Sequence, residues 1–104
     1  NAKSNLKDYY GTISDCTKAI EINPNNDKAY NNRGLAKSNL KDYKGAIPDC
    51  TKAIKINPNN ASAYYNRGFN KYYLKEYYSA CIDARNAQNL GYDATQLINL
   101  ACYK

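Results

Sequence analysis

The sequence predicts an all-α protein, an α-solenoid of antiparallel helix pairs, on three observations. The first is self-similarity at an offset of 34 residues. Ala2–Tyr9 and Ala36–Tyr43 both read AKSNLKDY, Asp15–Ile20 and Asp49–Ile54 both read DCTKAI, and Ile22–Asn26 and Ile56–Asn60 both read INPNN. The second is the spacing of apolar and small residues inside one period, which is helical. The third is composition: Leu, Ile, Val and Phe supply only 16 of 104 residues, while Tyr supplies 12. Stacked hairpins pack on their neighbours, so Tyr, Ala, Gly and Cys at fixed positions can stand in for an aliphatic centre.

In the complete period, residues 27–60, Asp27 opens a first helix, helix A, with Ala29, Tyr30, Gly34 and Leu40 at helical spacing. Asp42 can cap a second, helix B, that carries Tyr43, Ala46, Ile47, Cys50, Ala53 and Ile54. Pro58 forbids helical continuation at Asn57, and the Asn residues around it suit a turn. Pro48 falls inside helix B and is expected to kink it without ending it. Residues 61–94 repeat the pattern in divergent form and end at Gly91, suited to a left-handed C-cap. Residues 1–26 read as a partial unit, the end of a helix A followed by a helix B, and residues 95–104 as a closing helix. All four pieces form one solenoid domain.

Here the chain resembles the tetratricopeptide repeat (TPR) family. The period matches, and so do Tyr30, Gly34, Tyr43, Ala46, Ala53 and Pro58 in one unit and Tyr64, Gly68, Tyr77, Ala80 and Ala87 in the next. The resemblance implies a right-handed superhelix. It departs from the family pattern where Arg33 and Arg67 take a usual Leu position and where Cys16, Cys50 and Ala84 take a usual aromatic position. Asp15, Asp49 and Asp83 recur at one place in all three units, so Arg33 is expected to pair with Asp49 and Arg67 with Asp83. The alternative gives each Arg the Asp of the preceding unit.

The resemblance also implies a function: a protein-interaction module or scaffold whose helix A faces line a concave groove for a peptide or a partner helix. The groove positions fall on Lys28, Asn31, Asn32, Leu35, Ser38 and Asn39, and on Ser62, Tyr65, Asn66, Phe69, Tyr72 and Tyr73, with Asn1, Asn5, Asn99 and Tyr103 at the two ends. Asn carboxamides can bind a peptide backbone, and the aromatic patch suits an apolar anchor. The carboxylate clamp by which one TPR subclass holds acidic chaperone tails is incomplete, because Ser62 and Asn66 stand where it needs Lys and Arg.

Two other readings are available. A net charge of +6 invites RNA or another polyanion, with Tyr65, Tyr72 and Tyr73 stacking on bases and Arg67 and Lys71 on phosphates. Complementary repeat ends would allow head-to-tail self-association. An enzyme is not expected: the chain has no His, Gly-rich phosphate loop, nucleophile motif or acidic metal cluster, so neither cofactor nor metal is expected. No apolar stretch approaches the ~20 residues of a membrane span. The four cysteines, Cys16, Cys50, Cys81 and Cys102, form no C-x-x-C pair. They are expected to be unpaired and buried, which would place the chain in a reducing, cytoplasmic compartment.

Overall fold

A computed structural model describes residues 2–104, and the side chains of residues 6–104. They form six helices, α1 (Ala2–Ile22), α2 (Asp27–Asn39), α3 (Tyr43–Ile56), α4 (Ala61–Tyr73), α5 (Tyr77–Asn89) and α6 (Thr95–Ala101), with no strand among the described residues. Asn26, Asp42 and Asn60 cap α2, α3 and α4 by accepting from the backbone N–H three residues on, at 3.0–3.1 Å. These side chains satisfy donors that a helix start leaves orphaned.

Helices α2 and α4 end in the same way. The N–H of Asp42 donates to the Lys37 carbonyl at 2.9 Å and that of Lys41 to the Ser38 carbonyl at 2.9 Å, with Lys41 at φ 66°. Lys75 repeats this conformation after α4, and Gly91, at φ 97°, ends α5 as expected. α3 runs unbroken through Pro48. Pro48 and Lys44, whose carbonyl loses its partner, both lie exposed, where water can take the bond.

Hairpins α2–α3 and α4–α5 pack internally, and α3 packs on α4. α2 also touches α4, and α4 touches α6, whereas among the described residues α1, α3 and α5 do not touch one another. The even-numbered helices therefore form the inner layer of a curved stack, and the odd-numbered ones the outer layer. The core between the layers is built of small residues. Ala46, Cys50, Ala53, Ala63, Ala80, Ala84 and Ala87 are fully buried, and Leu97 is the one large aliphatic among them.

Two expectations are corrected here. The first unit does not break into the end of a helix A and a helix B; α1 is one helix of 21 residues. AKSNLKDY is thus helix at 2–9, but helix end, turn and helix start at 36–43. The turn holds Lys41 in a strained left-handed conformation, and it persists because Ala29, Gly34 and Ala36 of α2 are buried by turning back.

The second correction concerns the cysteines. Cys81 and Cys102 form a disulfide that ties α5 to the end of α6. Only Cys16 and Cys50 are free and buried. The inference of a reducing compartment from four unpaired thiols loses that footing.

Candidate functional site

The inner layer supplies the site. Arg33 and Arg67 fix its geometry from behind. Arg33 donates through Nε and Nη2 to the two carboxylate oxygens of Asp49, at 2.9 and 2.7 Å, and Arg67 meets Asp83 in the same fork at 2.8 and 2.8 Å. This is the expected pairing within one unit. The hydrogen bonds that each Arg donates to its carboxylate raise the Arg pKa above its usual range. The third arm of each fork crosses to the preceding unit, where Nη1 of Arg33 reaches Thr17 at 3.2 Å and Nη1 of Arg67 reaches Thr51 at 3.3 Å. Each guanidinium also lies over the ring of the Tyr three residues before it, Tyr30 or Tyr64. Lys37 and Lys71 add second cations to Asp49 and Asp83, at 3.0 and 3.2 Å. The two lysines were missed in the sequence, although they lie one helical turn after each Arg.

Between α2 and α4 a ladder of neutral side chains sets the register. Asn66 donates to Asn31 at 2.9 Å, Asn31 donates to Ser62 at 3.1 Å, and the Ser38 hydroxyl donates to Asn70. Asn70 is fully buried, and its Nδ2 is the one buried side-chain polar atom without a partner among the described residues.

Two of the shallow clefts among the described residues lie in front of this ladder. The larger, about 370 Å³, is lined by Leu35, Ser38, Asn39, Lys41, Tyr43, Tyr65, Asn66, Phe69 and Tyr73. Tyr65, Phe69 and Tyr73 recur every four residues along α4 and so share one face. Their ring centroids are 4.9 and 6.2 Å apart, and Tyr43 of α3 continues the row by stacking on Tyr73 at 4.7 Å. At the other end Tyr92 lies 4.7 Å from Tyr65. Burial, with Tyr92 and Asp93 nearby, pushes the Tyr65 phenol above its usual pKa, so it stays a neutral donor. The second cleft, about 350 Å³, is polar, with Lys28, Asn31, Asn32 and Ser62 beside Asp27, Asn57, Asn59, Asn60 and Ala61.

The structure brings Leu35, Asn39, Tyr65, Asn66, Phe69 and Tyr73 together in one cleft, and Lys28, Asn32 and Ser62 in the other. Two other expected contact residues are placed differently, Asn31 in the wall of the polar cleft and Tyr72 outside the lining of the larger one. Asn31 is 7% exposed, with its carboxamide engaged on both sides by Asn66 and Ser62. The Tyr72 ring lies 5.5 Å from that of Tyr73 and 5.7 Å from that of Tyr77. Asn1 and the side chain of Asn5 lie outside the described residues, while Asn99 and Tyr103 are exposed. Of the constellation considered for RNA, Arg67 and Lys71 are held by Asp83, while Tyr65 and Tyr73 line the larger cleft and Tyr72 does not. Tyr43 and Lys41 were missed. They come from the turn and from helix B, and only the folded hairpin brings them beside α4.

Comparison with known proteins agrees with this architecture. The model of the tetratricopeptide repeat matches residues 27–60. No curated protein sequence matches the chain. Among solved structures, the TPR domain of Arabidopsis OM64 is 32% identical, over 95% of this chain and 84% of that one, with a TM-score of 0.85. The first TPR of Spaghetti (RPAP3), bound to the HSP90 peptide SRMEEVD, is 26% identical over 92% of this chain and 79% of its own, with a TM-score of 0.88. The second TPR domain of human RPAP3, in complex with the HSP70 peptide SGPTIEEVD, is 25% identical over 92% and 82%, with a TM-score of 0.85. With its 34-residue hairpins, its inner layer of A helices and this degree of identity, the chain belongs to the tetratricopeptide repeat family.

Proposed function

We propose that the chain is a protein-interaction module that holds an extended peptide along the inner faces of α2 and α4. One observation carries this: Leu35, Asn39, Tyr65, Asn66, Phe69 and Tyr73 line a single open cleft although they come from two units of the repeat. The solved neighbours with HSP90 and HSP70 peptides support the same use of the fold. Asn66 retains one amide hydrogen and its carbonyl oxygen after donating to Asn31, enough to meet a peptide unit. The rings supply an apolar wall that loses little entropy on binding, because they already pack on one another.

Selection of a random peptide library on the chain, followed by titration of the enriched peptides, tests this reading. Replacing Asn32, Tyr65 and Asn66 together by Ala is expected to weaken the enriched peptides by roughly tenfold or more. Equal affinity in both forms would remove the groove as the site. Circular dichroism of the variant checks that the helices persist.

A further inference from the structure

We infer that the peptide this cleft takes is an uncharged, proline-rich segment in the polyproline II conformation. The inference rests on the peptide-binding reading above and names its ligand class. Three features of the cleft support it.

The first is charge. No carboxylate lines the cleft, and Lys41, in the turn at its end, is its one formal charge among the described residues. Three acidic groups near the cleft are committed elsewhere: Asp42 caps α3, and Asp49 and Asp83 each hold an Arg and a Lys. A strongly anionic ligand finds one cation among the lining residues, and a cationic ligand finds no carboxylate among them.

The second is shape. Tyr65, Phe69 and Tyr73 stand at successive turns of α4, so their row spans about 12 Å at 1.5 Å per residue. A polyproline II strand advances about 3.1 Å per residue, and about four of its residues match that length. A ligand helix needs a channel about 10 Å wide, lined by apolar side chains on both walls. Here the wall opposite the rings is Leu35, Ser38 and Asn39, and two of those three are polar.

The third is hydrogen bonding. Proline has no N–H, and a polyproline II backbone makes no internal hydrogen bonds, so its carbonyls need donors from outside. The cleft offers them: the hydroxyls of Tyr43, Tyr65 and Tyr73, the carboxamides of Asn39 and Asn66, and the ammonium of Lys41. Pyrrolidine rings pack on aromatic faces, and the preformed strand has little chain entropy left to lose.

The test is an NMR titration of the whole chain, with its tyrosine rings labelled, against acetylated and amidated decaproline, which carries no charge. Saturable shifts at Tyr73, Tyr43 and Tyr65 are expected. The affinity should change by less than about twofold between roughly 50 and 500 mM salt, as befits a ligand without ionic contacts. Tyr73→Ala and Asn66→Ala should each weaken it by about tenfold. Tyr78→Ala, exposed on α5 and away from the cleft, should leave it unchanged. If decaproline moves none of these signals while a proline-free peptide from the library occupies the cleft, the proline assignment is wrong and the peptide reading survives. If no peptide of either kind perturbs the cleft, both fall.

Discussion

Leu97 of α6 rests on Gly68 of α4: a Cβ on Gly68 would stand 2.7 Å from the Leu97 Cδ2. In the preceding unit the atom nearest the equivalent Gly34 is the Cys50 sulfur, at 3.0 Å. Where Cys50 is replaced by the smaller Ala84, Leu97 reaches in from the next helix to take up the space. Gly68→Ala is expected to destabilise by about 1–3 kcal/mol through overpacking. Leu97→Ala should destabilise by about 2–5 kcal/mol, because the cavity opens between three helices. Urea unfolding monitored by circular dichroism measures both, and a Gly68→Ala chain as stable as the wild type would contradict the close approach.

The forked pair of Arg67 and Asp83 leaves the Asp side chain 2% exposed and the Arg side chain 18%. Arg67→Ala strands a buried carboxylate with Lys71 as its remaining cation, and a loss of about 3 kcal/mol is expected. Adding Asp83→Ala should then cost much less than it does alone. The coupling measured by the four-chain cycle should exceed about 1 kcal/mol. A cycle that closes to zero would mean that the two side chains do not depend on each other.

The two copies of AKSNLKDY predict opposite effects from one substitution. At Lys41, which has a positive φ, glycine relieves backbone strain, and Lys41→Gly is expected to stabilise by up to about 1 kcal/mol. At Lys7, inside α1, glycine weakens a helix, and Lys7→Gly should destabilise by about 1 kcal/mol. Thermal melts of the two variants check this. The same sign at both positions would mean that α1 turns at Lys7 as α2 does at Lys41.

The sulfur chemistry is countable. Without reductant, two thiols should titrate after denaturation, and four once the Cys81–Cys102 bond is reduced. Closing a loop of 21 residues is worth about 3 kcal/mol, so reduction should lower the unfolding midpoint. In the folded chain Cys50 should resist alkylation at pH 8, because burial, assisted by Asp49, pushes its pKa up from 9.0 to about 12. Below pH 9 both the folded and the unfolded thiol hold their protons. Above it the unfolded thiol ionises first, so the contribution of Cys50 to stability declines from pH 9 and is lost as pH passes about 12.

The fold was legible because the repeat restates itself. Tyr30, Gly34, Ala46 and Pro58 sit one period from their partners, and each marks a packing or turn position that the structure keeps. The Arg33–Asp49 pair was legible for the same reason. What was not legible lies where the period fails. Nothing local distinguishes Lys7 from Lys41, since the eight-residue stretches that hold them are identical, so the difference in outcome is set outside those eight residues. Cys16 and Cys50 share a repeat position, whereas Cys81 and Cys102 do not, and that mismatch was the available sign that the latter pair has another role. Of the groove, Tyr65, Asn66, Phe69 and Tyr73 on α4 were readable from the family resemblance. Asn31 and Tyr72 lie at the margins of that face, where the angle between helices decides whether a side chain meets solvent or a neighbour.

The contact pattern of the stack bears on how the molecule comes apart. Among the described residues α1 touches α2 alone and α6 touches α4 and α5, while α2 and α4 each have neighbours on both sides. Such an array behaves as a zipper that frays from its tips, with the most protected links in the middle. The two walls of the larger cleft are those middle links. Opening of α1, or of α6 once its sulfur tether is cut, can therefore proceed while the recognition surface still stands. Amide exchange should be slowest in α2 and α4, the helices that face the ligand.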